Sequence, residues 1–318
     1  MTRSPSTLSP LVSLLRCTAC GGELEDLRCT GCGAQYADSA GTVRMVPATL
    51  ERAKSDTADS FAYEWEAFGD LRDEWRKNFL DYMRPHGPEF FDGKLVLDVG
   101  TGSGRHSRQA AELGARVVAA DLGDSIDVAR SNLPDDALTV QADAEKLPFA
   151  PETFDLVMSI GVLHHLPDPK RAFRAIVPLA KPGGWVHIYL YWQPPVRWHR
   201  TVLRAVNAVR RVTTRMPHRV LHALCYPLAA VLWAGVVLPY RALRARGSRL
   251  ADAFPLKTYA DYPFGVLVND QFDRFSAPIE NRYEKEDVER WLRDAGLEDI
   301  TVLPNHGWLG SGRRPGAS

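Results

Sequence analysis

The sequence predicts an α/β protein, doubly wound about a mostly parallel seven-stranded sheet, with a small cysteine-bearing module in front and a helical insertion near its end. Three observations carry that prediction. Residues 95–113 read as a buried strand, a glycine turn and a helix; strands ending close to an acid recur afterwards at βαβ intervals; and four of the five cysteines fall between positions 17 and 32. At 318 residues, 45% apolar and 25% charged, the chain can bury a full core. The formal net charge is zero, so the whole-molecule field implies no particular partner.

The cysteines come first. Cys17 and Cys20 form one C-x-x-C pair, Cys29 and Cys32 a second, and each pair is followed by glycine (Gly21, Gly33). Glycine permits a tight turn that aims backbone N–H groups at thiolate sulfur, and two such knuckles can hold four sulfurs tetrahedrally around zinc. That set leaves no open coordination position, so the ion is structural. Residues 1–15 lack the long apolar run and small-residue cleavage site of an export signal, which points to a cytoplasmic, reducing setting. There, paired cysteines read as metal ligands before disulfides, two disulfides being the competing reading. Residues 11–47 are taken as the zinc ribbon and 48–60 as a linker. Cys225 stands alone in an apolar stretch and reads as core.

Leu95 to Val99 is a short apolar strand, broken only by Asp98, and Gly100, Thr101, Gly102, Ser103 and Gly104 follow at once. A dinucleotide fingerprint needs glycine at position 105, where this chain has arginine. The pattern is D-x-G-x-G-x-G instead. A second strand, 116–120, ends at Asp121 and Leu122, where a carboxylate can accept both hydroxyls of a ribose. A third, 138–140, leads to Asp143 and Ala144; a fourth, 154–158, leads through Ser159 and Gly161 to His164, His165, Leu166 and Pro167.

This ordered set resembles the class I S-adenosylmethionine-dependent methyltransferases, and the fourth-strand string in particular resembles their broad small-molecule branch, the type 11 methyltransferase domain. The resemblance implies a Rossmann-like sheet. It also implies binding of S-adenosylmethionine, and of the product S-adenosylhomocysteine, by Asp98, Gly100, Thr101, Gly102, Gly104, Asp121, Leu122, Asp143, Ala144, Ser159 and Gly161. Asp143 would accept from the adenine amino group while the Ala144 amide meets the ring. The tandem His164–His165 is mainly a structural signature in such proteins; either histidine, or Tyr191, is a weak candidate for a catalytic base. The N-terminal segment is similar to the Trm112-like zinc ribbons that precede many bacterial methyltransferases, one group of which modifies ribosomal RNA.

The remaining elements complete the domain over 61–318. A helix at 171–179 and a turn at Pro182–Gly184 lead to a fifth strand, 185–191; a helix at 284–295 precedes two edge strands, 297–303 and 307–313. In front, 61–68 and 75–83 read as aromatic-rich helices, and in similar enzymes a helix here closes over the cofactor, which makes Tyr63 and Trp65 acceptor-side candidates. Residues 192–283 are an insertion. From Pro169 to Ala251 the chain carries fifteen Lys or Arg and no acid, and 220–240 holds no charged residue at all. Two prolines and the final sheet strands argue against a membrane span, leaving a buried helical lid over the acceptor as the leading expectation, with peripheral contact to an anionic membrane through 197–246 as the alternative. Tyr191, Trp192, Asn269, Asp270, Asp273 and Tyr283 are further acceptor-side candidates, the residues from 268 to 283 reading as a loop.

The resulting expectation is methyl transfer to an oxygen, nitrogen or carbon nucleophile of a small molecule, in natural-product biosynthesis, by a monomer or homodimer. An RNA methyltransferase is the runner-up. Residues 21–32 carry three acids and one arginine, a poor footprint for nucleic acid. A non-catalytic cofactor-binding scaffold is the third reading.

Overall fold

The structure, a computed structural model, describes residues 9–47, 49–68, 75–194, 197–248 and 257–316. The chain forms two compact units, Met1–Pro194 with Ile279–Ser318, and Pro195–Pro278.

In the first unit β1 (Leu24–Glu25) and β2 (Arg28–Cys29) make a hairpin between the cysteine pairs. The main sheet takes β3 (Ala37–Ser39), β4 (Thr42–Arg44), β5 (Leu95–Val99), β6 (Arg116–Asp121), β7 (Leu138–Gln141), β8 (Phe154–Ile160), β9 (Ala180–Leu190), β10 (Glu298–Pro304) and β11 (Trp308–Arg313). Their order is β10-β11-β9-β8-β5-β6-β7-β4-β3, parallel from β9 to β4 and antiparallel at both ends. The helices are α1 (Arg52–Phe68), α2 (Trp75–Met83), α3 (Arg105–Glu112), α4 (Ser125–Asn132), α5 (Pro169–Ile176) and α10 (Lys285–Asp294), the last numbered after four in the second unit.

All five residues of β5 are buried, as a central parallel strand with helices on both faces requires. Strand alternation divides its side chains. Leu95, Leu97 and Val99 join a core with Phe173 and Ile176 of α5 and Trp291 and Leu292 of α10; Val96 joins the opposite core with Phe79 of α2, Ala110 of α3 and Ile126 of α4. The sheet reverses its winding between β5 and β8, and the crevice above their carboxyl ends is where ligands of open α/β sheets bind.

The mostly parallel sheet expected from the sequence is present, widened from seven strands to nine. The extra pair, β3 and β4, comes from the segment assigned to the ribbon: β4 lies parallel to β7, Val43 is fully buried, and Leu11 and Leu15 share the α5–α10 core. The Arg16 amide also donates to the Pro148 carbonyl at 2.8 Å. The N-terminal segment is thus an extension of the sheet. The 48–60 linker is corrected as well. Helix α1 begins at Arg52, and the polar Lys54, Thr57 and Ser60 that made the stretch look solvated are buried.

The second unit contains α6 (Arg197–Thr213), α7 (His218–Leu232), α8 (Leu238–Ala245) and α9 (Phe264–Ser276). A π turn, Trp233–Val237, joins α7 to α8 in one helical run, His218–Ala245. Residues 195–196 and 249–256 of the predicted insertion lie outside the described residues. Leu221, Cys225 and Ala229, spaced four apart, form the buried stripe of α7, and its His218 and His222 rings lie 6.2 and 5.8 Å from Phe272 of α9. The predicted loop beginning at 268 is therefore corrected to helix as far as Ser276. Leu267, Val268, Gln271 and Phe272 repeat at helical spacing on its buried face, a stripe masked by the polar Asn269 and Asp270 between them and Asp273 after. The expectation of a buried helical run also fails: in its most apolar window of eighteen residues only 22% is buried.

A buried histidine in the sheet gives the fold an acid-sensitive element. His187 on β9 is fully buried, donates Nε2–H to the Tyr82 carbonyl at 2.8 Å, and has its pKa lowered to about 3 by burial and by nearby His86. Because the folded value lies below the unfolded 6.5, the neutral ring's contribution is complete above pH 6.5 and is lost as pH falls towards 3. His187→Met should therefore gain on the wild type by about 1.4 kcal/mol per pH unit below that point. Urea unfolding of both proteins at pH 7 and pH 5 measures this, and a difference that does not move with pH would count against it.

Candidate cofactor and acceptor site

The turn after β5 is built by its neighbours' carboxylates. Gly100, Gly102 and Gly104 have φ of +78°, +57° and +79°, in the left-handed region that side chains with a Cβ avoid. Asp98, 2% exposed, accepts from Thr101 Oγ1 at 2.9 Å and Ser107 Oγ at 2.7 Å, tying the turn to the start of α3. Burial raises its pKa to about 6, against the lowering effect of those two hydroxyls. Asp121, at the carboxyl end of β6, accepts from the Gly102 amide at 2.8 Å through Oδ2 and from the Gly123 amide at 2.9 Å through Oδ1. Burial raises its pKa also. Each oxygen has a second lone pair, so both can still accept from a ligand.

Asp143 behaves differently from its sequence reading. Its Oδ2 accepts from Lys54 Nζ at 2.8 Å and its Oδ1 from the Glu145 amide at 3.0 Å. Lys54 also meets Glu145 at 2.9 Å, and Arg171 meets the other Glu145 oxygen at 2.9 Å. The carboxylate assigned to an adenine amino group is thus held first by a lysine of α1, which no local pattern marks. Ala144 follows it half-buried, and Leu122 offers its carbonyl to Gln141 Nε2 at 3.1 Å. Ser159 donates to the Val99 carbonyl at 2.9 Å, stitching β8 to β5, and Gly161 has φ +81°.

Helix α1 lies along the carboxyl ends of these strands. Lys54 reaches Asp143; a Cβ on Gly123 would sit 2.9 Å from the Ala58 carbonyl; a Cβ on Gly102 would sit 2.6 Å from Trp65 Nε1; and Phe61 packs 4.9 Å from the His165 ring. Arg105 stacks over Trp65 at 5.0 Å and Trp75 at 5.2 Å, locking the indole above the turn. Trp65 therefore stands at the glycine turn itself, while Tyr63 sits half-buried on the same helix.

On the other side of the crevice, His164 is fully buried, with its ring 3.9 Å from Tyr191 and 4.3 Å from His165. Burial carries its pKa well below 6.5, so the ring is neutral at pH 7. His165 donates Nδ1–H to the Ile279 carbonyl at 2.7 Å, which puts its remaining lone pair on Nε2. Tyr191, Trp192 and Tyr283 come together: Tyr283 N donates to the Tyr191 carbonyl at 2.9 Å, Trp192 bridges Tyr283, and Arg282 stacks over Tyr191 at 5.2 Å. Asn281, absent from the sequence reading, anchors this strand to the His164 carbonyl through N at 2.8 Å and Nδ2 at 3.2 Å. Asn269, Asp270 and Asp273 lie instead on α9 of the second unit, where the Tyr259 hydroxyl donates to Asp270.

The four cysteine sulfurs lie within 4.8 Å of one another, with Cys17–Cys32 at 3.6 Å and Cys20–Cys29 at 3.4 Å, and no disulfide joins them.

Residues 97–188 match the family model of a methyltransferase domain. The ubiquinone biosynthesis O-methyltransferase of Photorhabdus laumondii is 32% identical over 177 residues, which are 52% of this chain and 72% of that protein. That of Stutzerimonas stutzeri is 41% identical over 99 residues, 30% of this chain and 43% of its own length. With the Nitrosospira multiformis protein, matched over 41% of its length, the chain thus spans less than half of two curated relatives. Among solved structures, an O-methyltransferase family protein from Burkholderia thailandensis aligns with TM-score 0.46 at 17% identity, over 80% of this chain and 60% of that one.

Removing the α1 anchor tests this geometry. Lys54→Met leaves two buried carboxylates facing each other without their shared cation, and should cost about 3 kcal/mol of unfolding free energy. Hydrogen exchange should locate the loss in residues 52–68, and unchanged protection there would contradict the anchoring role.

Proposed function

The chain belongs to the class I S-adenosylmethionine-dependent methyltransferases, and from that premise we propose that it moves a methyl group to a nucleophile of a small-molecule acceptor. The observation that carries this reading is the alignment of the glycine turn 100–104, Asp121 and Asp143 along the carboxyl ends of three adjacent parallel strands. The residues fit the cofactor. The turn is all backbone at Gly100, Gly102 and Gly104, with Trp65 2.6 Å from where a Cβ on Gly102 would stand, and Asp121 presents two oxygens that could take ribose hydroxyls. Asp143 and Ala144 would meet the adenine, with Lys54 holding the Asp143 carboxylate in place at 2.8 Å.

When bound, S-adenosylmethionine supplies an electrophilic methyl group on a sulfonium sulfur, and the thioether S-adenosylhomocysteine is the leaving group. The protein's part is to orient and to dry the site. Helix α1 excludes water through Phe61 and Trp65, and proximity alone can supply most of the acceleration. His164, neutral and stacked under Tyr191, holds the wall of the crevice, and His165 is fixed in its Nδ1–H form. The relatives named O-methyltransferases support an oxygen nucleophile, and we assign acceptor selectivity to residues 191–192 and 281–283.

We propose in addition that Cys17, Cys20, Cys29 and Cys32 hold a structural zinc ion. A tetrahedral site with Zn–S near 2.3 Å needs sulfurs about 3.8 Å apart, and this cluster has that spread.

Two experiments test these assignments. Isothermal titration should give S-adenosylmethionine binding that weakens about 10–100-fold in Asp121→Asn, the equivalent of one or two charged hydrogen bonds, with methyl release reduced in parallel. Equal affinity in the variant would remove Asp121 from the site. Elemental analysis of protein purified without added metal should find one zinc per chain, lost in Cys17→Ser together with thermal stability. A metal-free protein of equal stability would refute the zinc assignment.

A further inference from the structure

Among the described residues, every large hydrophobic side chain that stands exposed lies between Val202 and Leu238. The exposure is patterned. On α6, Val209 and Val212, the latter 58% exposed, share a stripe with Val202. On α7, Val220, Leu224, Leu228 and Val231 recur at four, four and three residues, and Val231 is 70% exposed. This outer stripe is distinct from the Leu221, Cys225 and Ala229 stripe that serves as the helix's buried side. Water faces the apolar row, which monomeric soluble proteins rarely permit over a contiguous patch.

The charge around the row is of one sign. Residues 197–246 contain ten arginines and no acid. Arg204 and Arg211 lie exposed on α6, Arg215 is exposed in the turn after it, Arg219 is exposed at the start of α7, and Arg246 is exposed beyond α8. Tyr226, half exposed, supplies an aromatic of the kind that settles at a headgroup boundary. Arg244 pairs with Asp261 at 2.9 Å, and an apolar stripe rimmed by the other exposed arginines is complementary to a surface that is oily below and anionic above.

We propose that residues 197–246 form a docking surface for an anionic lipid bilayer, with the outer stripe of α6 and α7 lying in the interface plane and the arginines on the headgroups. The helical run His218–Ala245, with mean hydropathy 1.9 in its most apolar window, is long enough to cross a bilayer. It lies on the surface instead, for a topological reason. The strands that precede the insertion, ending in β9, and those that follow it, β10 and β11, belong to one sheet, with β11 hydrogen-bonded to β9 along Trp308–Arg313. A single crossing between them would put the two on opposite sides of the membrane. The other side of α7 is committed to Phe272 of α9 as well, so lipid can meet only one face. This proposal stands apart from the methyltransferase reading, since it uses no residue of the cofactor site.

Flotation of the full-length protein with vesicles decides it. We expect binding to phosphatidylcholine vesicles containing one third phosphatidylglycerol, little to phosphatidylcholine alone, and release at high salt. Leu224→Asp with Val231→Asp should abolish flotation, and Arg211→Ser with Arg215→Ser should weaken it about five-fold per arginine, both with unchanged circular dichroism and cofactor titration. Equal binding to neutral vesicles, or wild-type flotation in both variants, would overturn the proposal. So would resistance to salt and alkaline carbonate with release only by detergent, which marks a span. A dimer in light scattering that the Leu224 and Val231 substitutions dissociate, without any flotation, would assign the face to a second copy of the chain.

Discussion

Two carboxylates, Asp98 buried and Asp121 half-buried, fix the backbone on which the candidate site depends. Asp98 accepts hydrogen bonds from the hydroxyls of Thr101 and Ser107, and Asp121 accepts them from the amides of Gly102 and Gly123. Between them they join the ends of β5 and β6 to the glycine turn and the first turn of α3. Burying an acid is costly unless its oxygens are satisfied, and burial raises both pKa values here. The hydrogen bonds meet that cost and leave a turn whose backbone cannot drift. Gly100, Gly102 and Gly104 make the arrangement possible, because three left-handed residues in five would strain any other side chain.

A second layer of order comes from polar residues in places where sequence reasoning expects solvent. Lys54 lies buried between Asp143 and Glu145, and through it α1 is seated on β7. The same helix rests its Ala58 carbonyl near Gly123 and its Trp65 ring against Gly102. A helix so placed is coupled through Lys54 to Asp143, one of the carboxylates proposed to read a nucleoside. The N-terminal segment completes the same unit: β4 adds to β7, and Leu11 and Leu15 fill the core over α5 and α10.

The inserted unit follows a different logic. Its inner contacts are ordinary helix packing, with Arg210 and Thr213 of α6 bonding the Ala277 and Phe275 carbonyls beyond and within α9. Its outer face carries valine, leucine and arginine without a single acid over 197–246. Solvation of the two faces differs so strongly that the unit has the composition of an interfacial module, attached to a sheet whose winding forbids it to cross a membrane.

The sequence by itself determined the sheet, the glycine turn, the order of Asp98, Asp121 and Asp143, and the pairing of the cysteines. These follow from local rules: apolar period, glycine at positive φ, an acid at a strand's end, C-x-x-C spacing. It misread the residues whose roles are set by distant partners. Lys54 looked like linker because its carboxylates are 89 residues or more away, Asn281 carried no local signal for its bond to the 164–166 turn, and residues 268–276 hid a helical stripe among polar residues. Tertiary structure alone decided that α1 is anchored through Lys54, that the N-terminal segment widens the sheet to nine strands, and that the apolar helices of the insertion stand exposed. Which face of a helix meets water depends on what packs against the other, and that is not written in the helix.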